Sequence, residues 1–205
     1  MASIVEPSLA PCYRPLISFL KEKAFLAKYL RGGSSIVLEE RYEPGEAPGR
    51  AFLASSRKCV ADFVPVHARM GMCPEARALI EEFEPGAHQF LPVEIVRPRS
   101  KKPIHRLDGR VLDTPYYVLI PQTVLEAVRI ERSEVSVSPT RHGSPLVFPA
   151  MGSDNIVLRR EVVRGHHVWC GRFHPSGRTF FSDALVRALE ARKLRGLSCV
   201  RLEEA

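Results

Sequence analysis

Three histidines and one cysteine lie within nine residues, at His166, His167, Cys170 and His174. Imidazole nitrogen and thiolate sulfur are donors that zinc prefers, so this segment is a candidate metal site. However, neighbouring residues of a strand point to opposite faces, so His166 and His167 do not converge on one ion. A fourth ligand that converges with the others is not visible nearby in the sequence. The pattern favours ordinary strand and turn histidines, with a metalloenzyme that uses residues 166–174 as an alternative.

Other catalytic arrangements have even less support. Cys170 with His142 or His167 has the residue types of a thiol nucleophile and its base, but no known signature surrounds it. The sequence contains no phosphate-binding glycine loop, no GxSxG elbow and no HExxH motif. We therefore expect no catalytic residues, no metal ion and no cofactor, and we predict that the protein is not an enzyme.

The positive charge of the chain is concentrated in one segment. The formal net charge is +7, with 30 Lys and Arg against 23 Asp and Glu. Residues 97–110, called the basic segment below, contain six cations and a single acid, Asp108. The cations are Arg97, Arg99, Lys101, Lys102, Arg106 and Arg110.

Two kinds of partner fit a basic segment. Clustered Lys and Arg neutralise phosphates, so a basic nucleic-acid-associated protein is an alternative. The segment has no aromatic residues, and neither a recognition helix nor an RNA-binding signature accompanies it. A protein partner with an acidic contact surface is favoured, because complementary charge speeds association. A solvated loop without a partner is the third interpretation.

Composition indicates a cytoplasmic globular protein. Hydrophobic residues make up 45% and charged residues 26% of the 205 residues, as in ordinary soluble domains. No apolar run approaches the roughly 20 residues that span a bilayer, and residues 1–14 lack the pattern of a secretory leader. The five cysteines are odd in number and form no CxxC pair, which argues against disulfide scaffolds and zinc ribbons.

The elements expected to position these residues are helices mixed with short strands. Apolar spacing predicts helices over residues 16–30 and 74–83, the second with proline at its first position. Residues 88–96 and 116–120 are predicted strands, and Pro92 favours an edge or a bulge in the first. Residues 51–66 are ambiguous between helix and strand. The absence of a βαβ rhythm predicts a single α+β domain with a mixed or mainly antiparallel sheet and two to three helices.

The second half of the chain is predicted to end in a compact unit. Residues 134–138 alternate as a strand does, residues 138–154 form a long loop, and residues 156–163 and 166–173 are expected to pair as a hairpin. Residues 179–181 then form a strand, Ser182 caps a helix, and Gly196 stops it before a last strand. Residues 169–202 are called the closing unit below.

The order of these segments resembles immunity protein family 11, a family found beside toxins in bacterial polymorphic toxin systems. The similarity covers roughly residues 65–202 and fits residues 1–60 poorly. It rests on the helix at 74–83 with Pro85-Gly86 and Phe90-Leu91-Pro92-Val93, then on Tyr116-Tyr117-Val118-Leu119, Ala127-Val128, Glu131-Arg132-Ser133-Glu134, Phe180-Phe181-Ser182-Asp183-Ala184-Leu185 and Leu194-Arg195-Gly196-Leu197.

The resemblance implies an immunity protein that binds and neutralises a cognate toxin stoichiometrically. It also implies an immunity-protein-like domain over residues 61–205, with residues 1–60 as a divergent N-terminal region containing one helix. Exposed Arg and aromatic residues often anchor such interfaces. The predicted partner-binding residues are therefore Arg97, Arg99, Lys101, Lys102, Arg106, Arg110 and Trp169.

Overall fold

A computed structural model describes most of the chain. The described residues are 1–7, 17–19, 41–43, 49–53, 59–66, 69–97, 100, 102–138, 146–149, 155–171 and 178–205. Predictions for the other positions, including Arg99, Lys101 and His174, lie outside the described residues.

The described chain contains many short strands and three α-helices, which confirms the α+β prediction. The strands are β1 (Ala2–Pro7), β2 (Ile17–Phe19), β3 (Arg50–Leu53), β4 (Cys59–Val60), β5 (Phe63–Val66), β6 (Arg69–Met72), β7 (Gln89–Val96), β8 (His105–Arg106), β9 (Tyr116–Ile120), β10 (Val124–Leu125), β11 (Val135–Ser138), β12 (Leu146–Pro149), β13 (Val157–Leu158), β14 (Val168–Gly171), β15 (Thr179–Ser182) and β16 (Leu197–Glu204). The helices are α1 (Pro74–Phe83), α2 (Arg160–Val163) and α3 (Asp183–Ala191), with a 3-10 turn at Ile130–Arg132.

Six strands close a small barrel in the order β2-β3-β7-β9-β6-β5. Its pairings are antiparallel except β2 with β5 and β3 with β7. The barrel interior is apolar, and β9 is buried along almost its whole length, as its uninterrupted apolar run predicts. Helix α1 packs Ala76, Leu79 and Ile80 into the same core. The barrel thus holds α1 with its opposite face turned outward.

A second sheet has the order β10-β14-β15-β1-β16-β13, and its strands β1, β14 and β15 are buried on both faces. Val5 and Phe181 belong to the core shared with the barrel, whereas Ile4 and Phe180 belong to a separate core on the other face. This alternation follows from the two-residue period of a strand. Strand β1 lies between β15 and β16, so the first residues of the chain occupy the middle of this sheet.

The helix predicted over residues 16–30 does not begin where the spacing indicates, because Ile17–Phe19 form β2 of the barrel. Of the ambiguous residues 51–66, residues 51–53, 59–60 and 63–66 are strands, and Asp62 between them lies in a bend. The division at residue 60 stays a prediction, although β1, β2 and β3 all pair with strands from the rest of the chain.

The hairpin predicted from residues 156–163 and 166–173 is wrong. Val157–Leu158 instead pair in parallel with β16, and Val168–Gly171 pair with β10 and β15. Between them, residues 160–163 form the short helix α2. Of the two predicted segments, only residues 157–158 and 168–171 are described as strands; β10 and β16 lie far away in the sequence, whereas β15 follows β14 closely.

Strand β7 has neighbours on both sides, so the edge prediction from Pro92 is wrong for the strand as a whole. Pro92 pairs with Tyr117 of β9, whereas β3 begins to pair with β7 at Glu94. The proline therefore lies where β3 offers no partner, and the missing N–H breaks no pairing with it.

The closing unit starts its helix as the local signals predict, but α3 ends at Ala191, earlier than predicted, and Lys193 with a φ of 56° follows it in the left-handed conformation. The Ser182 hydroxyl accepts a hydrogen bond from the Leu185 N–H at the start of α3. After α3 the backbone turns at Gly196, whose φ of 95° favours glycine. A side chain at this position would also collide with Phe63 O, because a Cβ atom would lie 2.5 Å from it. Gly196 therefore lets β16 start directly against β5.

Candidate functional site

The basic segment packs its central arginine inside the fold. Arg106 is only 6% exposed, and its guanidinium donates to Glu75 Oε1 at 2.7 Å and to Asp62 Oδ1 at 2.9 Å. Burial raises the pKa of Glu75, but the hydrogen bond from Arg106, together with further hydrogen bonds and the Arg106 charge, lowers it overall to about 2. Arg106 thus joins the basic segment to the start of α1 and to residue 62, and its buried position gives it a structural role.

The carboxylate of Asp62 joins two basic regions that are distant in the sequence. Its Oδ1 accepts from Arg106, and its Oδ2 accepts the Arg195 N–H at 2.8 Å. The Phe63 N–H also donates to Arg195 O at 3.0 Å. The segment after α3, with the exposed Lys193 and Arg195, is therefore fixed beside the basic segment. The sequence alone does not show that these two segments are neighbours, because they are distant along the chain and meet only in the fold.

The surface around this junction is positive with an apolar residue among the cations. The Arg110 side chain is 63% exposed and donates to Asp108 Oδ2 at 2.7 Å. Lys102 is exposed, and Val111 is 50% exposed. We call Lys102, Arg110, Val111, Lys193 and Arg195 together the basic surface. Exposed apolar area surrounded by charge is a common composition of protein interfaces.

The remaining predicted contact residues differ in their placement. Trp169 is 1% exposed and stacks on Phe180, with ring centroids 5.7 Å apart in the second core. A partner therefore cannot reach the Trp169 ring in this conformation. Arg97 is partly buried at the end of β7, and Arg99 and Lys101 lie outside the described residues. Of the predicted set, Lys102 and Arg110 are the described residues with exposed cations.

An open groove of about 510 Å³ lies along α1 next to β9. Arg77 lies in it with its guanidinium over two aromatic rings, 4.4 Å from the Tyr117 ring centroid and 5.4 Å from that of Phe90. Glu75, one turn before Ala78 on the same helix, contacts Arg110, so the edge of the groove at Ala78 lies near the basic surface. The lining residues are Pro74, Arg77, Ala78, Glu81, Glu82 and Tyr117. Sequence analysis missed this site, since only the fold brings Arg77 to Tyr117.

The histidines of residues 166–170 take part in packing and hydrogen bonding. The Glu84 carboxylate accepts the N–H groups of His167 and Val168 at 2.7 and 3.0 Å and also bonds His88. Burial raises the pKa of Glu84, but these hydrogen bonds, that to His88 first, lower it overall. His167 Nδ1 lies 2.8 Å from Ser182 Oγ. This cluster ties the end of α1 to the second sheet.

The structure offers little for metal or thiol chemistry in the part of the chain that it describes. No group of three or more His, Cys, Asp or Glu side chains there is arranged to hold a metal ion. Burial raises the pKa of the Cys170 thiol to about 12, so this sulfur is not a thiolate at neutral pH. Among the described helices, none is long and apolar enough to cross a membrane.

Comparison with known families agrees with this architecture. Residues 52–203 match the sequence model of the immunity protein family Imm11. The chain belongs to the Imm11 family. The match begins within β3 and ends within β16, so it includes α1, α3 and all the described residues of the basic surface. No curated protein matches the chain. The resemblance identified from the order of segments is thereby confirmed.

Proposed function

We propose that this Imm11 protein binds a cognate toxin of a bacterial polymorphic toxin system and neutralises it stoichiometrically. It acts in the cytoplasm of the producing cell, where the toxin would otherwise attack its maker and its kin. Neutralisation needs binding alone, without turnover, metal or cofactor. The observation that supports this proposal most strongly is the family match over residues 52–203, which spans nearly the whole described fold.

The basic surface is the proposed first contact with the toxin. Arg110 is held by Asp108 and Glu75, and the segment of Lys193 and Arg195 is held through Asp62. Rigid cations lose little conformational freedom on binding, and they attract an acidic surface over distance. We therefore expect the toxin to present an acidic patch, with Val111 as an apolar contact within it.

Co-expression tests the function. The toxin domain encoded beside the gene for this chain should stop growth when produced alone, and co-production of this chain should restore growth. The purified pair should form a complex of fixed stoichiometry in calorimetry. Absence of both rescue and binding would refute neutralisation of that toxin. Retention on DNA or RNA that weakens steeply with salt would instead support the nucleic-acid alternative.

Charge removal tests the proposed surface. The double variant Lys102→Gln/Arg110→Gln should slow association with the toxin about tenfold at low salt, because steering depends on exposed charge. Arg164→Gln is the matched control, since Arg164 is exposed beyond α2, away from the basic surface. An association rate unchanged in the double variant would remove these two residues from the interface and leave the function itself unaffected.

A further inference from the structure

Arg77 projects from α1 with its guanidinium over two aromatic side chains. Its Cζ lies 4.4 Å from the Tyr117 ring centroid and 5.4 Å from that of Phe90. Both rings come from the barrel, Phe90 from β7 and Tyr117 from β9. Stacking fixes the plane of a guanidinium while leaving its N–H groups at the edge free to donate.

The guanidinium of Arg77 has no acceptor among the described residues. Within the described residues, its side chain forms no hydrogen bond and no ion pair, and the aromatic rings are its only side-chain partners of note. Other arginines nearby are paired: Arg106 and Arg110 with Glu75, and Arg192 with Glu82. A stacked guanidinium presents a fork of donors that matches a carboxylate in two parallel hydrogen bonds.

The acidic residues of the groove are already engaged. Arg192 Nη2 donates to Glu82 Oε2 at 2.8 Å, and Glu81 Oε2 accepts the Gly86 N–H at 3.2 Å. Among the described residues neither forms an ion pair with Arg77, so the Arg77 donors stay free, while Glu81 keeps its own negative charge because its bond is to a neutral N–H. Pro74 and Ala78 supply apolar lining. One carboxylate beside an apolar side chain fits this arrangement, whereas an extended polyanion would meet Glu81 and Glu82.

We propose that Arg77 binds the carboxylate of one Asp or Glu side chain of the partner protein. An apolar neighbour of that residue packs on Pro74 and Ala78. The inference rests on the proposed function, since the partner is the toxin, and it adds a specific contact to the general attraction by the basic surface. Glu75 lies one turn before Ala78 and contacts Arg110, so the groove and the basic surface are neighbours along α1.

Two substitutions separate the fork from the charge. Arg77→Met keeps an unbranched side chain on the rings but removes the donors and the charge, and Arg77→Lys keeps only the charge. We expect the Kd for the purified neighbouring toxin domain to rise about 10- to 100-fold with Arg77→Met and about tenfold with Arg77→Lys. Arg187→Met, at an exposed position of α3, is the control and should change Kd less than twofold. Thermal unfolding confirms that each variant is folded.

A double-mutant cycle identifies the bound group. Each exposed Asp and Glu of the toxin is changed to Ala and tested against wild type and Arg77→Met. One acidic position should lose its effect on Kd in the Arg77→Met background. If Arg77→Met binds like wild type, or if no acidic position couples to it, the carboxylate site is refuted while neutralisation stands. If the wild-type chain neither binds nor neutralises the toxin, the proposed function fails instead. Binding of a 20-nucleotide RNA that is lost with Arg77→Met would assign the site to phosphate and overturn the proposal.

Discussion

Replacement of Asp62 by asparagine should loosen both basic regions at once. The Asp62 carboxylate accepts one hydrogen bond from Arg106 and one from the Arg195 N–H, and its side chain is 14% exposed. Asparagine has nearly the same shape but lacks the negative charge, and its NH2 group cannot accept. One of the two donors therefore loses its partner, and the buried Arg106 loses one of its counter-ions.

The structure sets the size of the effect. Breaking a buried ion pair by removing one partner costs about 3–5 kcal/mol. Arg106 keeps its ion pair with Glu75, so the cost here should lie at or below the lower end of this range. We expect the free energy of unfolding to fall by about 2–3 kcal/mol. For a chain of this size, 1 kcal/mol corresponds to roughly 2–4 °C in Tm, so Tm should fall by roughly 4–12 °C.

Urea denaturation and thermal unfolding at pH 7 measure this change. Asp113→Asn is the matched control, because Asp113 is exposed and has no ion pair with the described residues, and it should stay within about 0.5 kcal/mol of wild type. Asp62→Asn should also weaken toxin binding, since it releases the segment of Arg195. A stability equal to that of Asp113→Asn would refute the role of Asp62 as the junction.

Three further predictions concern stability. Gly196→Ala should lower the free energy of unfolding by about 2–4 kcal/mol, because a Cβ would lie 2.5 Å from Phe63 O; Gly165→Ala, with similar φ but open space, should cost clearly less in the same urea titration. Ser182→Ala should cost about 1 kcal/mol through the lost helix cap, and an unchanged Tm would contradict that role. Burial raises and ion pairing lowers the pKa of Glu75, with a net value of about 2. Its ionised form therefore stabilises the fold above pH 4.5, and this stability is lost as pH falls towards 2. Glu75→Gln should remove that part of the acid dependence in unfolding curves measured from pH 7 to 2.5, and identical pH profiles would argue against it.

Elements with local signals could be predicted from the sequence. Pro74 at the first position of α1 and Ser182 before α3 act within one helical turn, and both predictions are confirmed, whereas α3 already ends at Ala191, before the predicted stop at Gly196. The buried strand β9 is also confirmed, since an uninterrupted apolar run requires burial on both faces.

Non-local relations could not be predicted in the same way. The parallel pairing of β13 with β16 joins residues about 45 positions apart, and no local pattern specifies it. The cations of the basic segment were evident, but Arg106 is buried because Glu75 and Asp62 converge on it only in the fold. Trp169 is buried because the second sheet has a core on each face. The alternation of residues along one strand does not show that both faces are covered.

The position of β1 has a consequence for how the protein forms in the cell. Residue 2 pairs with residues 182 and 202, so β1 can pair with its neighbours only after β15 and β16 have been synthesised. At roughly 5–20 residues per second, ribosomes need about 10–40 s to add the intervening chain. During that time both backbone edges of β1 lack their native partners, and pairing over such sequence distances is slow. Nascent chains stalled before residue 179 therefore expose an unpaired strand, and the proposed neutralisation would begin only after synthesis of the closing unit.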